Sequence, residues 1–196
     1  MELVPTVISA GWAAGVNAYG TVAMLGLLGR AGVGEVPDPL TGTPVIVTAL
    51  VLFAIEFVVD KVAYLDTTWD LVQTPIRPAV GSAVGALFAG DADVSSIDEA
   101  LSAAGGGGTA LASHGLKAGL RLGINASPEP FSNIVVSLLE DGMVAVVVAL
   151  ALEHPSTALA IVIVLMVAGA TLAYLIWSRI LRAWRAWKGR RRRAPP

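Results

Sequence analysis

Residues 155–178 run for 24 positions without a charged side chain, and residues 3–29 do so for 27. A bilayer core about 30 Å thick is crossed by roughly 20 apolar residues at 1.5 Å rise each. Both runs pass that test, so the sequence reads as an integral membrane protein. The expected fold is all-α: a polytopic transmembrane helix bundle of five to seven segments, with short broken or re-entrant helices and an internal repeat.

The charged residues are few and unevenly placed. They make up 14% of the chain, against about a quarter in soluble domains. Residues 179–193 hold eight of the thirteen Lys and Arg and no acid, while the preceding residues hold five cations and all fifteen acids. The basic block, Arg179, Arg182, Arg185, Lys188 and Arg190 to Arg193, directly follows the last apolar run and is interleaved with Trp184 and Trp187. By the positive-inside rule this places the C-terminus in the cytoplasm and the chain, multi-pass, in a cell (inner) membrane. Residues 1–178 are then the membrane domain and residues 179–196 a cytoplasmic basic tail. Membrane lipids are the expected partners, with anionic headgroups at the tail. A homo-oligomer is expected too; nucleic acid is not. Met1-Glu2-Leu3 lacks the positive start of a cleaved signal, so the first span reads as retained. With no cysteine and two histidines, the chain has no thiol chemistry and no His-rich metal site. No cofactor is expected, and whether any metal is bound stays open.

The chain divides into an apolar segment at 6–30, a turn-rich loop, a second segment at 43–64, and an element beginning near Asp66. Residues 79–90 and 109–124 read as short helices, residues 91–99 as a surface loop, and Gly105 to Gly108 as a hinge. Segments at 131–152 and 155–187 complete the bundle. Residues 10–18, Ala-Gly-Trp-Ala-Ala-Gly-Val-Asn-Ala, match residues 118–126, Ala-Gly-Leu-Arg-Leu-Gly-Ile-Asn-Ala, at five of nine positions. That echo is either chance in a Gly/Ala-rich chain or a repeat of the kind that builds small transporters.

An ionised acid at the middle of a span costs about 2.5–3.5 kcal/mol, so such residues face partners or water. Glu56 and Asp60 share one helical face, and Asp66 and Asp70 repeat their spacing. The outer pair reads equally as an N-cap and first-turn acid beside Trp69. His114, Lys117 and Arg121 form one stripe, with Gly115, Gly119 and Gly123 opposite as a helix-packing face. Glu140 and Asp141 are adjacent, so at least one is expected to face inward. Asn125-Ala126-Ser127-Pro128-Glu129-Pro130-Phe131-Ser132-Asn133 places a carboxylate between two prolines, where regular helix is broken. The candidate substrate- or ion-binding residues are therefore Asn17, Glu56, Asp60, Arg77, His114, Lys117, Arg121, Asn125, Glu129, Asn133, Glu140 and Asp141. No catalytic residue is assigned, because phosphate-loop, zinc-helix and nucleophile-elbow signatures are all missing.

Three ordered motifs carry a resemblance. Gly15-Val16-Asn17-Ala18-Tyr19, then Ile55 to Lys61 followed by Trp69-Asp70 and Gln73 to Pro78, then Asn125 to Asn133, resemble the domain-of-unknown-function family 4126, small multi-pass prokaryotic membrane proteins. The resemblance covers most of residues 8–170 and implies a membrane fold without an assigned activity. The leading expectation from the residues is a small transporter or channel with a charge-balanced polar centre. A membrane-embedded enzyme or lipid-phosphate handling protein, and a structural subunit of a membrane complex, are the alternatives.

Overall fold

The computed structural model describes residues 2–62, 65–125 and 130–191. Among them the chain is entirely helical: α1 (Leu3–Val16), α2 (Ala18–Arg30), the single turn α3 (Asp38–Thr41), α4 (Thr43–Val59), α5 (Leu65–Asp91), α6 (Ser96–Asn125), α7 (Pro130–Glu153) and α8 (Pro155–Arg191). Two stretches are long and apolar enough to cross a membrane, Ile134–Glu153 and Pro155–Arg182. Both correspond to expected segments, 131–152 and 155–187.

The uncharged run 3–29 is not one span. Asn17 adopts an extended conformation (φ −151°, ψ 99°), closes α1 and opens α2, with its side chain accepting from the Gly20 N–H. An Asn cap satisfies one of the orphan N–H groups at a helix start. The two pieces reverse direction at this residue. Thr6 donates to the Ala151 carbonyl, Asn17 donates to Asp141, and Gly34 packs on Leu152. So α1 descends along α7 and α2 climbs back, forming a helical hairpin. Its arms are 14 and 13 residues, about 21 and 20 Å long.

The chain thus has two ends. Leu3, the α2–α4 connection, the α5–α6 turn and the α7–α8 junction share one; the α4–α5 connection, the end of α6 and the start of α7 share the other. The α4 to α8 helices each run from one end to the other.

Residues 79–90 and 109–124 are not short helices but portions of α5 and α6, which have 27 and 30 residues. The α5 helix continues through Pro75 and Pro78. Loop 91–99 shrinks, because α6 begins at Ser96. The Gly105 to Gly108 run is not a hinge. It lies inside α6, and the reason is close approach: a Cβ at Gly106 would lie 2.3 Å from the Gly81 carbonyl oxygen, and one at Gly11 would lie 2.5 Å from that of Gly106. Three helices meet there at backbone distance, and only glycine permits it. The expected packing face at Gly115 and Gly119 is open: among the described residues nothing lies within 4 Å of a Cβ placed at either, and one at Gly123 meets Ile176. These residues follow the tight contact along α6, but their side of the helix meets no neighbour of comparable smallness.

The motif copies at 10–18 and 118–126 lie on α1 and α6. These helices run parallel, since Gly11 meets Gly106 while Val16 meets Lys117. In the first copy Asn17 caps the end of α1, and in the second Asn125 is helical.

Candidate functional site

Beside a buried apolar core that includes Leu25, Phe88 and Val148, the protein buries a charged cluster and exposes large apolar side chains. Glu56, Gln73 and Arg77 are 0% exposed, and Asp60, Asp66, Asp70, His114, Lys117 and Arg121 lie between 1% and 5%. Large apolar side chains such as Val47, Val51, Val58, Val164 and Val167 are more than half exposed. Soluble proteins bury the second kind and expose the first.

Two helix C-termini organise the polar centre. The last carbonyls of α1 and α4 lack intrahelical partners and carry the negative end of each helix dipole. Four cations meet them. Arg77 donates to the Gly15 carbonyl at 3.2 Å and Lys117 to that of Val16 at 2.9 Å. Arg121 donates to the Asp60 carbonyl at 2.9 Å and Lys61 to that of Phe57 at 2.8 Å. The break at Asn17 exposes those α1 carbonyls, and Arg77 of α5 and Lys117 of α6 satisfy them.

The same cations hold the carboxylates. Arg77 is 2.7 Å from Glu56 and 3.2 Å from Asp70. Lys117 is 2.8 Å from Asp60 and 3.5 Å from Glu140. Arg121 meets Asp66 at 3.3 Å and also pairs with Glu140. Lys61 is 4.0 Å from Asp141, whose other oxygen accepts from Asn17 at 3.0 Å. Six carboxylates therefore face four cations among the described residues.

His114 bonds Arg77 through Nδ1 at 2.9 Å and Thr74 through Nε2 at 3.1 Å. A guanidinium only donates, so Nδ1 accepts and the ring proton sits on Nε2. The Thr74 hydroxyl donates to the Asp70 carbonyl, leaving its oxygen to accept from that ring. His114 is thus neutral and positions Arg77.

The cluster lies level with uncharged helix. Leu116 packs at Gly169 and Gly123 at Ile176, so Lys117 and Arg121 sit beside residues 169–176 of α8, within its charge-free run. A cavity of about 210 Å³ between α1, α6, α7 and α8 has Ser113, Lys117 and Glu140 in an otherwise apolar wall. A groove of about 310 Å³ on α5 and α6 is lined by Thr67, Thr68, Asp70 and Thr74 with Leu71, Ala118 and Leu122.

Of the residues singled out by sequence, the structure brings together Asn17, Glu56, Asp60, Arg77, His114, Lys117, Arg121, Glu140 and Asp141. Both members of the Glu140–Asp141 pair are engaged, on different cations. Glu129 lies outside the described residues, as do the side chains of Asn125 and Asn133. Of the expected break over 125–133, residues 126–129 lie outside the described residues, Asn125 is helical and residues 130–133 belong to α7. Asp66, Asp70 and Gln73 were not among the candidates. The spacing of the two aspartates had pointed to them, and only the surface reading of α5's first turn set them aside. No group of three metal-type ligands occurs among the described residues.

A family model described as a domain of unknown function, DUF4126, matches residues 4–175, and the chain belongs to that family. No curated protein and no solved structure matches it.

Proposed function

We propose that this DUF4126 member is a small multi-pass membrane protein that moves an ion or small solute through its buried charged centre. The observation that carries the reading is the surplus of buried carboxylates over cations at the depth of an uncharged helix. A protein needing only internal pairing does best with equal numbers, since each unpaired intramembrane charge is costly. One buried negative charge in excess, and two once the half-buried Lys61, Glu140 and Asp141 are counted, call for protons or a cation.

In this reading α4 to α8 cross the bilayer and the α1–α2 hairpin is re-entrant. At about 40 and 45 Å, α5 and α6 are long enough to span it. The hairpin tip at Asn17 lies among the charges, the arrangement by which broken helices build transport sites. Basic α8 residues place the C-terminus on the cytoplasmic side, against anionic headgroups. The hairpin then opens toward the opposite face, where Glu2, Glu35, Asp38, Asp91, Asp93, Asp98, Glu99 and Glu153 outnumber Arg30.

A structural role is the second reading, favoured by the use of all four cations on helix-end carbonyls. Lipid-phosphate handling draws no support from cations already engaged by carboxylates. The test is ion and proton flux in liposomes carrying the purified protein, with Glu56→Gln and Glu129→Gln alongside. Flux in the parent, reduced in folded variants, is the expected result. A parent silent under every imposed gradient would transfer the case to the structural reading.

A further inference from the structure

Glu56 and Asp70 share a single guanidinium nitrogen. Arg77 Nη2 lies between Glu56 Oε1 and Asp70 Oδ1, at 2.7 and 3.2 Å. Among the described residues Glu56 Oε2, both Asp70 oxygens and Gln73 Oε1 on α5 have no hydrogen-bond donor, the 3.2 Å approach of Arg77 to Asp70 Oδ1 being an ion pair only. Glu56 and Gln73 are fully buried. The other groups facing the pair are committed elsewhere. On α6, His114 accepts from Arg77, Lys117 bonds Asp60 and Val16, and Arg121 bonds Asp60 and Asp66. Asp60, on α4 itself, adds a further negative charge. On α2, Tyr19 accepts from the Gln73 amide. Arg77 Nε is an unused donor, but it belongs to the same cation and leaves the charge count unchanged.

The group therefore has one negative charge and several acceptors too many. A metal ion is a poor remedy, because Arg77 already occupies the space between the carboxylates. A proton supplies both missing things at once, a positive charge and an O–H donor.

We propose that Glu56 and Asp70 form a proton-binding site holding one exchangeable proton, reached through the threonine-lined groove on α5 and α6. Asp70 lies in the wall of that groove, beside Thr67, Thr68 and Thr74. A hydronium ion gives its proton to a carboxylate oxygen and leaves as water; the neutral acid donates to the facing acceptor while Arg77 keeps the remaining carboxylate. The site rests on the membrane-transport reading for its use, and on the geometry of α4 and α5 for its existence.

Infrared difference spectroscopy on the purified full chain, titrated over the pH range in which it stays folded, reads the site directly. The expected result is a protonated-carboxyl C=O band that titrates, is lost in Glu56→Gln or Asp70→Asn, and survives in the distant Glu153→Gln. If either variant fails to fold, isotope labelling of Asp or Glu carboxyls in the unmutated protein assigns the band instead. Absence of a titrating band, persistence of the same band in both folded variants, or its insensitivity to both labels overturns the proposal. A titrating band with no liposome flux upholds the site and removes the transport reading. Flux with no titrating band does the reverse.

Discussion

The two halves of α6 solve opposite problems against the same two neighbours. Over residues 102–110 it touches α1 and α5 through Ser102, Gly106 and Ala110, with backbones in contact. Over 114–121 it presents His114, Lys117 and Arg121, and the neighbours stand off far enough to admit long charged side chains. The change comes where α1 ends. The tight half holds three helices in register. The loose half uses that register to set cations against two helix ends. Small residues on a helix therefore predict contact only where the facing helix is small too: Gly106 meets Gly81 and Gly11, whereas Gly119 meets nothing among the described residues.

The comparison makes the charged half the more sensitive to truncation. Arg77→Met strands Glu56 and Asp70 in a buried site and frees the Gly15 carbonyl, at a cost of about 3–5 kcal/mol. Thermal unfolding in detergent measures it, and adding Glu56→Gln should restore part of the loss. An unaltered midpoint would mean that the ion pair is not what shapes this half. Gly106→Leu should cost about 3 kcal/mol, the upper part of the range for overpacking. Its signature is α1 and α5 separating together, read by cross-linking between them. If they stay in place, the tight half is looser than described.

At the junction, Asn17→Ala removes the cap of α2 and the bond to Asp141, for about 1 kcal/mol. Accelerated amide exchange at Gly20 and Thr21 is the local readout; exchange spread evenly over the chain would place the effect elsewhere. The smallest effect belongs to Gly119→Leu, within about 0.5 kcal/mol of the parent. A large destabilisation there would restore the packing role that its spacing suggests.

Much of the charged centre was legible because its warrant is energetic. Glu56 and Asp60 in an apolar helix, and the stripe His114, Lys117 and Arg121, had to face inward whatever the fold. The hairpin was not legible. An uncharged run gives no sign of a break when its only cue is Asn17, with no proline near it and glycines spread throughout. Gly105 to Gly108 misled for a related reason: local propensity makes four glycines poor helix, and tertiary contact with Gly81 and Gly11 overrides it. Pro75 and Pro78 are equally poor helix residues by propensity, yet both lie in the interior of α5.

The hairpin and α4 both end on carbonyls whose cations come later in the chain. During synthesis, residues 1–60 emerge with the Gly15 and Val16 carbonyls and the Asp60 carboxylate already placed, while Arg77, Lys117 and Arg121 are still untranslated. At about 5–20 residues per second, the wait for Arg121 lasts several seconds. The first third of the protein is thus a debtor to its middle. It cannot complete its own architecture as it leaves the ribosome, because the partners of its helix ends arrive only with α5 and α6.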